Sequence, residues 1–137
     1  MLKVRHSRVV STGDCDPQCI VNYPNYFQWF DRNCERLFKD AGLGFHILFG
    51  DYLIDGIPII EATSKFSRPA RVDDMLEVET WIDNWSTRTF MVKHQITRDG
   101  DVIAEGQELR AWVIKDENSP GGITAAPVPE EVKQRFN

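Results

Sequence analysis

The sequence predicts an α+β domain in which an antiparallel five-stranded sheet wraps around one long helix. Two observations carry this prediction. One long segment has apolar side chains at helical spacing, and most of the segments after it alternate apolar and polar residues. Short turns join most of these later segments, which favours antiparallel pairing. The 137 residues leave room for one domain over residues 1–137, with a tail rich in proline and glycine over about 118–137.

The long helix is predicted over residues 24–40. Aromatic and apolar side chains recur there every three or four positions and share one broad face; they are Tyr26, Phe27, Phe30, Cys34, Leu37, Phe38 and Ala41. Pro24 suits the first helical position, because its missing N–H would have no intrahelical partner there. Asn22 or Tyr23 would then be the cap, and Gly42 is a natural terminator.

The sheet is predicted from five segments. A valine-rich strand over 4–12 precedes the helix, and four more strands follow, over 57–68, 75–85, 88–98 and about 101–115. Asp99-Gly100 indicates a hairpin between the last two strands. One face of the third and fourth strands is largely apolar: Leu76, Val78, Thr80, Ile82, Phe90, Val92, His94 and Ile96. The tail is expected to be loop that closes on a short helix near residues 129–136.

Composition narrows the class of function. Sixteen basic against 21 acidic residues give a net charge of −5, which argues against non-specific nucleic-acid binding. No apolar run reaches 18 residues, so no membrane span is expected, and the N-terminus lacks the apolar stretch of a secretory signal. Cys15, Cys19 and Cys34 form an odd set without a C-x-x-C pair, which suits a reducing cytoplasm. Since a structural metal site needs four ligands, we expect neither a metal nor a cofactor.

The common catalytic motifs are missing from the chain. No G-x-S-x-G, H-E-x-x-H, P-loop or G-x-G-x-x-G is present, so catalysis would depend on carboxylates, amides or isolated side chains. His6, His46 and His94 have no carboxylate or cysteine partner at a useful spacing, and His94 is expected to be packed and hydrogen-bonded. The four tryptophans are expected in the core or an interface: Trp29, Trp81, Trp85 and Trp112.

Asp14-x-Asp16 stands just before the predicted helix. A D-x-D after a strand could belong to an aspartyl-phosphate phosphotransferase, but that class needs a parallel sheet, and this chain looks antiparallel. Composition alone favours an Asx turn, in which the carboxylate accepts a hydrogen bond from its own backbone.

A longer motif gives this segment a second interpretation. Gly13-Asp14-Cys15-Asp16-Pro17, Ile20-Val21 and Tyr23-Pro24-Asn25-Tyr26 together resemble the signature of the 4-hydroxybenzoyl-CoA thioesterase family. The similarity continues through the segments Trp29-Phe30-Asp31, Gly56-Ile57-Pro58-Ile59 and Val72-Asp73-Asp74-Met75-Leu76, and Trp85. One departure is Cys19, which stands where the motif has glycine. If that position needs a positive φ or close contact with ligand, cysteine is costly.

The resemblance implies a hotdog fold that forms a homodimer or homotetramer, with active sites at subunit interfaces and an acyl-CoA as substrate. It implies that Asp16 is the catalytic carboxylate, acting as nucleophile or as general base. It also implies that the Tyr23 backbone amide polarises the thioester oxygen. Physical chemistry agrees, because free N–H groups at a helix start stabilise negative charge on that oxygen.

The resemblance further implies substrate contacts for Asp31 and Ile57, with Asp31 accepting a hydrogen bond from a ring hydroxyl across the interface. Arg68, Arg71 and Arg88 are the candidates for the CoA phosphates, because a guanidinium binds phosphate through two hydrogen bonds. These charged residues could equally be solvated. The favoured function is hydrolysis of an aromatic acyl-CoA; the alternatives are hydrolysis of short or medium aliphatic acyl-CoA, or a non-catalytic module that binds CoA esters.

Overall fold

The computed structural model describes all 137 residues and confirms the predicted class, an antiparallel five-stranded sheet with one long helix. The elements in chain order are β1 (Lys3–Val9), α1 (Pro24–Asp40), α2 (Phe45–Gly50), β2 (Ile59–Phe66), β3 (Met75–Trp85), β4 (Thr89–Arg98), β5 (Asp101–Ala111), β6 (Val113–Lys115), β7 (Ile123–Ala125) and α3 (Glu130–Gln134). The strand order in the sheet is β1-β3-β4-β5-β2. Strands β1 and β2 are therefore its two edges.

Helix α1 begins and ends where the sequence predicts. Tyr23 is the N-cap and Pro24 the first helical residue. At the other end Gly42 has a φ of 77°, its N–H donates to the Lys39 carbonyl (3.0 Å), and the Leu43 N–H donates to the Phe38 carbonyl (2.8 Å). This pair of bonds is a Schellman motif, which needs a left-handed residue at the position of Gly42.

The inner face of the sheet packs against the buried face of α1. The apolar side of β3 and β4 is buried as predicted, and Val78 pairs with Ile96 and Ile82 with Val92 across the two strands. Asp99 and Gly100 have φ values of 51° and 83°, which confirms the hairpin turn. Trp29 and Trp112 are buried in the core, and Trp81 and Trp85 are half-buried.

Three parts of the chain differ from the sequence prediction. The first strand ends at Val9 and gives way to a single 3-10 turn, Thr12–Asp14, and α2 was not predicted. The last strand ends at Ala111, and β6 pairs with β7 as a separate two-stranded sheet. In the tail the predicted short helix is present as α3, and three tail residues, Val128, Val132 and Phe136, join the core, where the Phe136 ring lies 4.9 Å from that of Phe38. No helix is both long and apolar enough to span a membrane.

Candidate active site

A tight hairpin loop presents Asp16. The Asp16 carbonyl accepts the Cys19 N–H (2.9 Å), and the Asp16 N–H donates to the Ile20 carbonyl (2.9 Å). Three loop residues between two paired strands are typically a turn followed by a residue in the left-handed region. Cys19 is that residue, with a φ of 65°. The loop therefore needs the conformation that glycine adopts freely, and cysteine adopts it at a cost of about 1–2 kcal/mol.

The two aspartates of the D-x-D segment have different environments. Asp14 Oδ2 accepts hydrogen bonds from the Ser11 backbone N–H (2.9 Å) and hydroxyl (3.0 Å), so Asp14 closes the preceding turn. Asp16 Oδ1 accepts the Gln18 N–H (2.8 Å), which is the predicted Asx turn. The second oxygen of Asp16 accepts no hydrogen bond from the chain, and the side chain is half-buried. Asp16 is thus a turn residue that keeps one oxygen available.

The start of α1 is fixed to this loop. The Asn22 N–H and the Asn25 side-chain amide both donate to the Asp14 carbonyl, each over 2.8 Å. The backbone N–H of Tyr23 donates to no atom of the chain. It therefore lies free at the positive end of a 17-residue helix, which favours negative charge nearby.

Asp16 and Tyr23 both line a groove of about 440 Å³. Asp16, Tyr23 and Arg68 line it, and Tyr26 and Phe66 form an aromatic wall with ring centroids 5.3 Å apart. Burial raises the pKa of Tyr26 to about 12, so its hydroxyl is protonated at neutral pH. Arg68 forms an ion pair with Asp101 (3.2 Å) in which both side chains are more than half exposed.

The other predicted site residues lie outside this groove. Arg71 borders it, because its backbone pairs with Ile20. Asp31 lies eight residues after Tyr23, about 12 Å along the helix. Ile57 precedes β2. The groove residue Phe66 lies at the other end of that strand, about 30 Å away. Arg88 precedes β4. The far end of β4 contacts the groove residue Pro69, so Arg88 lies about 30 Å from the groove.

One buried arginine joins two of these distant residues. Arg110 Nη2 donates to Asp31 Oδ1 (2.8 Å), and Arg110 Nη1 donates to the Ile57 carbonyl (3.0 Å). A single chain therefore presents two separate clusters, the groove around Asp16 and the pair of Asp31 and Ile57. Arg88 belongs to neither.

The structure also reveals a chain of polar contacts that is buried except at Asp31. It is here called the polar circuit and is formed by Asp31, Arg110, Glu108, His94, Thr80 and Asn33. His94 Nε2 lies 2.9 Å from Glu108 Oε1, so the expectation that His94 has no carboxylate partner is wrong. The expectation that it is packed and hydrogen-bonded is confirmed, since the Phe30 ring stacks on the imidazole with centroids 4.5 Å apart. Burial is the main influence on His94 and lowers its pKa despite the nearby Glu108 carboxylate.

Sequence reasoning missed Glu108 and Arg110. His94 and Glu108 are 14 residues apart and meet only through the pairing of β4 with β5. A signal was nevertheless present, because Ala104, Gly106, Glu108 and Arg110 share one face of a strand by alternation. Charged residues on the buried face of a central strand indicate a paired network.

The fold and the groove together define a class of enzyme. An antiparallel sheet wrapped around one long helix is the hotdog fold. A carboxylate with a free oxygen, on a groove that the N-cap residue of that helix also lines, is chemistry suited to a thioester hydrolase. The model of the thioesterase-like superfamily matches residues 10–136, and the chain belongs to this family of enzymes. The resemblance stated from the sequence motif is thereby confirmed.

Similar proteins carry the same assignment. The 4-hydroxybenzoyl-CoA thioesterase of Pseudomonas sp. strain CBS-3 is 33% identical over 113 residues, which are 78% of this chain and 80% of that protein. A mutant 4-hydroxybenzoyl CoA thioesterase complexed with 4-hydroxybenzoyl CoA superposes with a TM-score of 0.89 at 26% identity, over 98% of this chain and 99% of that one. A gentisyl-coenzyme A thioesterase gives a TM-score of 0.79 at 32% identity, over 97% and 98% of the two chains.

Proposed function

We propose that this protein hydrolyses an aromatic acyl-CoA of the 4-hydroxybenzoyl-CoA type to the free acid and CoA, with Asp16 as the catalytic carboxylate. The observation that carries the proposal is the pairing, in one groove, of an available Asp16 oxygen with the free N–H of Tyr23. The relatives named above act on CoA esters of hydroxylated aromatic acids, which supports the substrate class.

Two routes fit this pair of groups. In the first, the Asp16 carboxylate attacks the thioester carbonyl, the C–S bond breaks, and water hydrolyses the resulting mixed anhydride. In the second, Asp16 accepts a proton from a water molecule, whose oxygen attacks the same carbon as CoA leaves. In both routes the negative charge on the carbonyl oxygen is stabilised by the Tyr23 N–H at the helix start.

The phosphates of CoA need local positive charge on this acidic protein. Arg68 and Arg71 are the proposed contacts, because Arg68 lines the groove and Arg71 borders it. Arg68 would have to exchange its partner Asp101 for a phosphate oxygen, which is a small cost for an exposed ion pair. Arg88 lies too far away within one chain, so we propose it only for a site that a second copy completes.

The separation of the two clusters within one chain also supports a second copy at the site. We propose a homodimer or homotetramer in which Asp31 and Ile57 of one subunit contact the acyl ring held near Asp16 of the other. Strand β2 supports this arrangement, since it is an unpaired edge with three exposed large apolar side chains: Ile59 (43%), Ile60 (58%) and Phe66 (45%). Light scattering measures the mass directly, and a monomer at assay concentration would contradict an interfacial site.

Activity assays with Asp16→Asn test the catalytic proposal. Thiol release is followed for 4-hydroxybenzoyl-, benzoyl-, acetyl- and decanoyl-CoA. Wild type should prefer the aromatic esters, and Asp16→Asn should lose at least about 100-fold in kcat, the range expected for a missing general base. Asp51→Asn is the matched control, because Asp51 is an exposed aspartate outside the groove and should behave as wild type.

Each alternative function gives a different result. Equal rates for wild type and Asp16→Asn would remove Asp16 from the mechanism. A preference for acetyl- or decanoyl-CoA would indicate an aliphatic thioesterase, and binding without hydrolysis of any ester would indicate the non-catalytic module.

A further inference from the structure

The inner face of β5 carries charge where apolar side chains would be expected. Glu108 and Arg110 point under α1, and their side chains are only 2% and 7% exposed. Replacing a buried ion pair by apolar groups of similar volume is often neutral or stabilising, so packing alone does not call for these charges. A buried polar group that the core does not need is a candidate for a functional role.

Arg110 connects the interior to the surface. Toward the core, its Nε and Nη2 lie 3.4 and 3.2 Å from Glu108 Oε1. Toward the surface, the same guanidinium donates to Asp31 Oδ1 and to the Ile57 carbonyl. The Asp31 side chain is 64% exposed, and its Oδ2 accepts no hydrogen bond from the chain. Arg110 thus fixes one oxygen of Asp31 and leaves the other without a partner on an exposed side chain.

The rest of the polar circuit prevents Arg110 from turning. Glu108 Oε1 is an acceptor, so His94 Nε2 donates to it (2.9 Å), and Nδ1 of the neutral ring accepts from the Thr80 hydroxyl (2.7 Å). Thr80 Oγ1 in turn accepts from the Asn33 side-chain amide (2.7 Å). The contacts run from α1 through β5, β4 and β3 and return to α1 at Asn33. Every polar side chain in the circuit has a partner, and moving the guanidinium would leave the buried Glu108 carboxylate without its cationic partner.

We propose that Arg110 is a positioning residue that sets the specificity of the enzyme for its acyl group. By holding the Asp31 carboxylate and the Ile57 carbonyl in fixed places, it presents the free Asp31 oxygen as an acceptor for a hydroxyl on the acyl ring. An exposed aspartate without this clamp would lose rotational freedom when the substrate binds, and fixing it beforehand removes that cost. The inference rests on the proposed function, in which Asp31 faces the substrate.

The experiment compares the kcat and KM of two substrates that differ by one group, 4-hydroxybenzoyl-CoA and benzoyl-CoA. The variants are Asp31→Asn, Arg110→Lys and the double variant Arg110→Met/Glu108→Gln, which removes the arginine without leaving a buried charge. Lysine keeps the charge but lacks the planar fork that holds Asp31 and Ile57 together. Asp31→Asn is also combined with Arg110→Lys.

A positioning role changes the preference between the two substrates. In both Arg110 variants we expect kcat/KM for 4-hydroxybenzoyl-CoA relative to benzoyl-CoA to fall about tenfold, through KM, with benzoyl-CoA turnover within about threefold of wild type. Adding Arg110→Lys to Asp31→Asn should cause no further loss of preference, because both act on the same hydrogen bond.

Several results would overturn the inference. If Arg110 has only a structural role, its variants will lose activity on both substrates equally. If the Arg110 variants keep the wild-type preference for 4-hydroxybenzoyl-CoA over benzoyl-CoA, the positioning role is refuted while the proposed function stays intact. A wild type without any preference for the hydroxylated ring refutes the proposed substrate and the positioning role together. If the double variant does not fold, Arg110→Lys alone decides between these results.

Discussion

The contact between Gly106 and Phe30 makes a sharp prediction about stability. Gly106 lies on β5 opposite His94, and the ring of Phe30 crosses directly over it to stack on the imidazole at an interplanar angle of 12°. Replacing Gly106 by alanine places a methyl group under that ring. Phe30 is fully buried, so the ring has no open space into which it can move.

The cost follows from the geometry. The added Cβ would lie 2.7 Å from Phe30 Cζ and 2.9 Å from Cδ2, and closer still to Cε2. Ordinary contacts begin near 3.4 Å, so the ring or the strand must shift. Overpacking of this kind typically costs about 1–3 kcal/mol, and the gain from removing a strand glycine offsets about 0.5–1 kcal/mol of it. We expect Gly106→Ala to lower the free energy of unfolding by about 1–2 kcal/mol.

Urea unfolding followed by tryptophan fluorescence measures the effect at one fixed protein concentration. With a slope of about 2 kcal/mol/M, the midpoint should fall by roughly 0.5–1 M. Gly121→Ala is the control, because nothing lies within 4 Å of its added Cβ, and its midpoint should stay near that of wild type. Equal midpoints for the two variants would refute the reasoning about Phe30.

Two further predictions concern the site loop and pH. Cys19→Gly should raise the free energy of unfolding by up to about 1 kcal/mol, and with it the thermal midpoint, because Cys19 has a φ of 65°. Cys15→Gly, at an extended φ of −103°, should lower it, and a loss in both would contradict the strain at Cys19. Because burial lowers the pKa of His94, the unfolded chain binds more protons below about pH 6.5, so stability should fall with decreasing pH there, at most about 1.4 kcal/mol per pH unit. The free energy of unfolding in urea should depend less on pH between about 6.5 and 5 in His94→Gln than in wild type, whereas the exposed control His46→Gln should behave as wild type. Equal pH slopes in all three proteins would contradict the role of His94.

Local chemistry explains how much of the fold could be predicted from the sequence. The helix was predictable because Pro24 and Gly42 suit its two ends and its buried face repeats at helical spacing. The central strands were predictable because their alternation survives in the sheet. Helix α2 was not, since a short apolar segment fits strand, helix or loop until tertiary contacts choose. The spacing of Val128 and Val132 also did not indicate that the tail packs into the core.

In the candidate site, too, the features that depend on neighbouring residues were predictable and the long-range contacts were not. The motif placed Asp16 and Tyr23 on one loop and helix start, because both depend on a few neighbouring residues. The link from Arg110 to Asp31 spans 79 positions and exists only once β5 lies beneath α1. Spacing along the chain carries no direct information on such a contact, although alternation along β5 indicates which side chains face the helix.

The buried charges of β5 also bear on how the strands align. A shift of β5 by one position would turn Glu108 and Arg110 to the solvent and place Gln107 and Leu109 beneath the helix. It would also place a larger residue beneath Phe30 in place of Gly106, which is the one glycine of β5. Misaligned pairing would therefore separate His94 from the Glu108 carboxylate and would also crowd the ring of Phe30. A sheet built in this way tolerates only one alignment of its central strands, whatever its substrate.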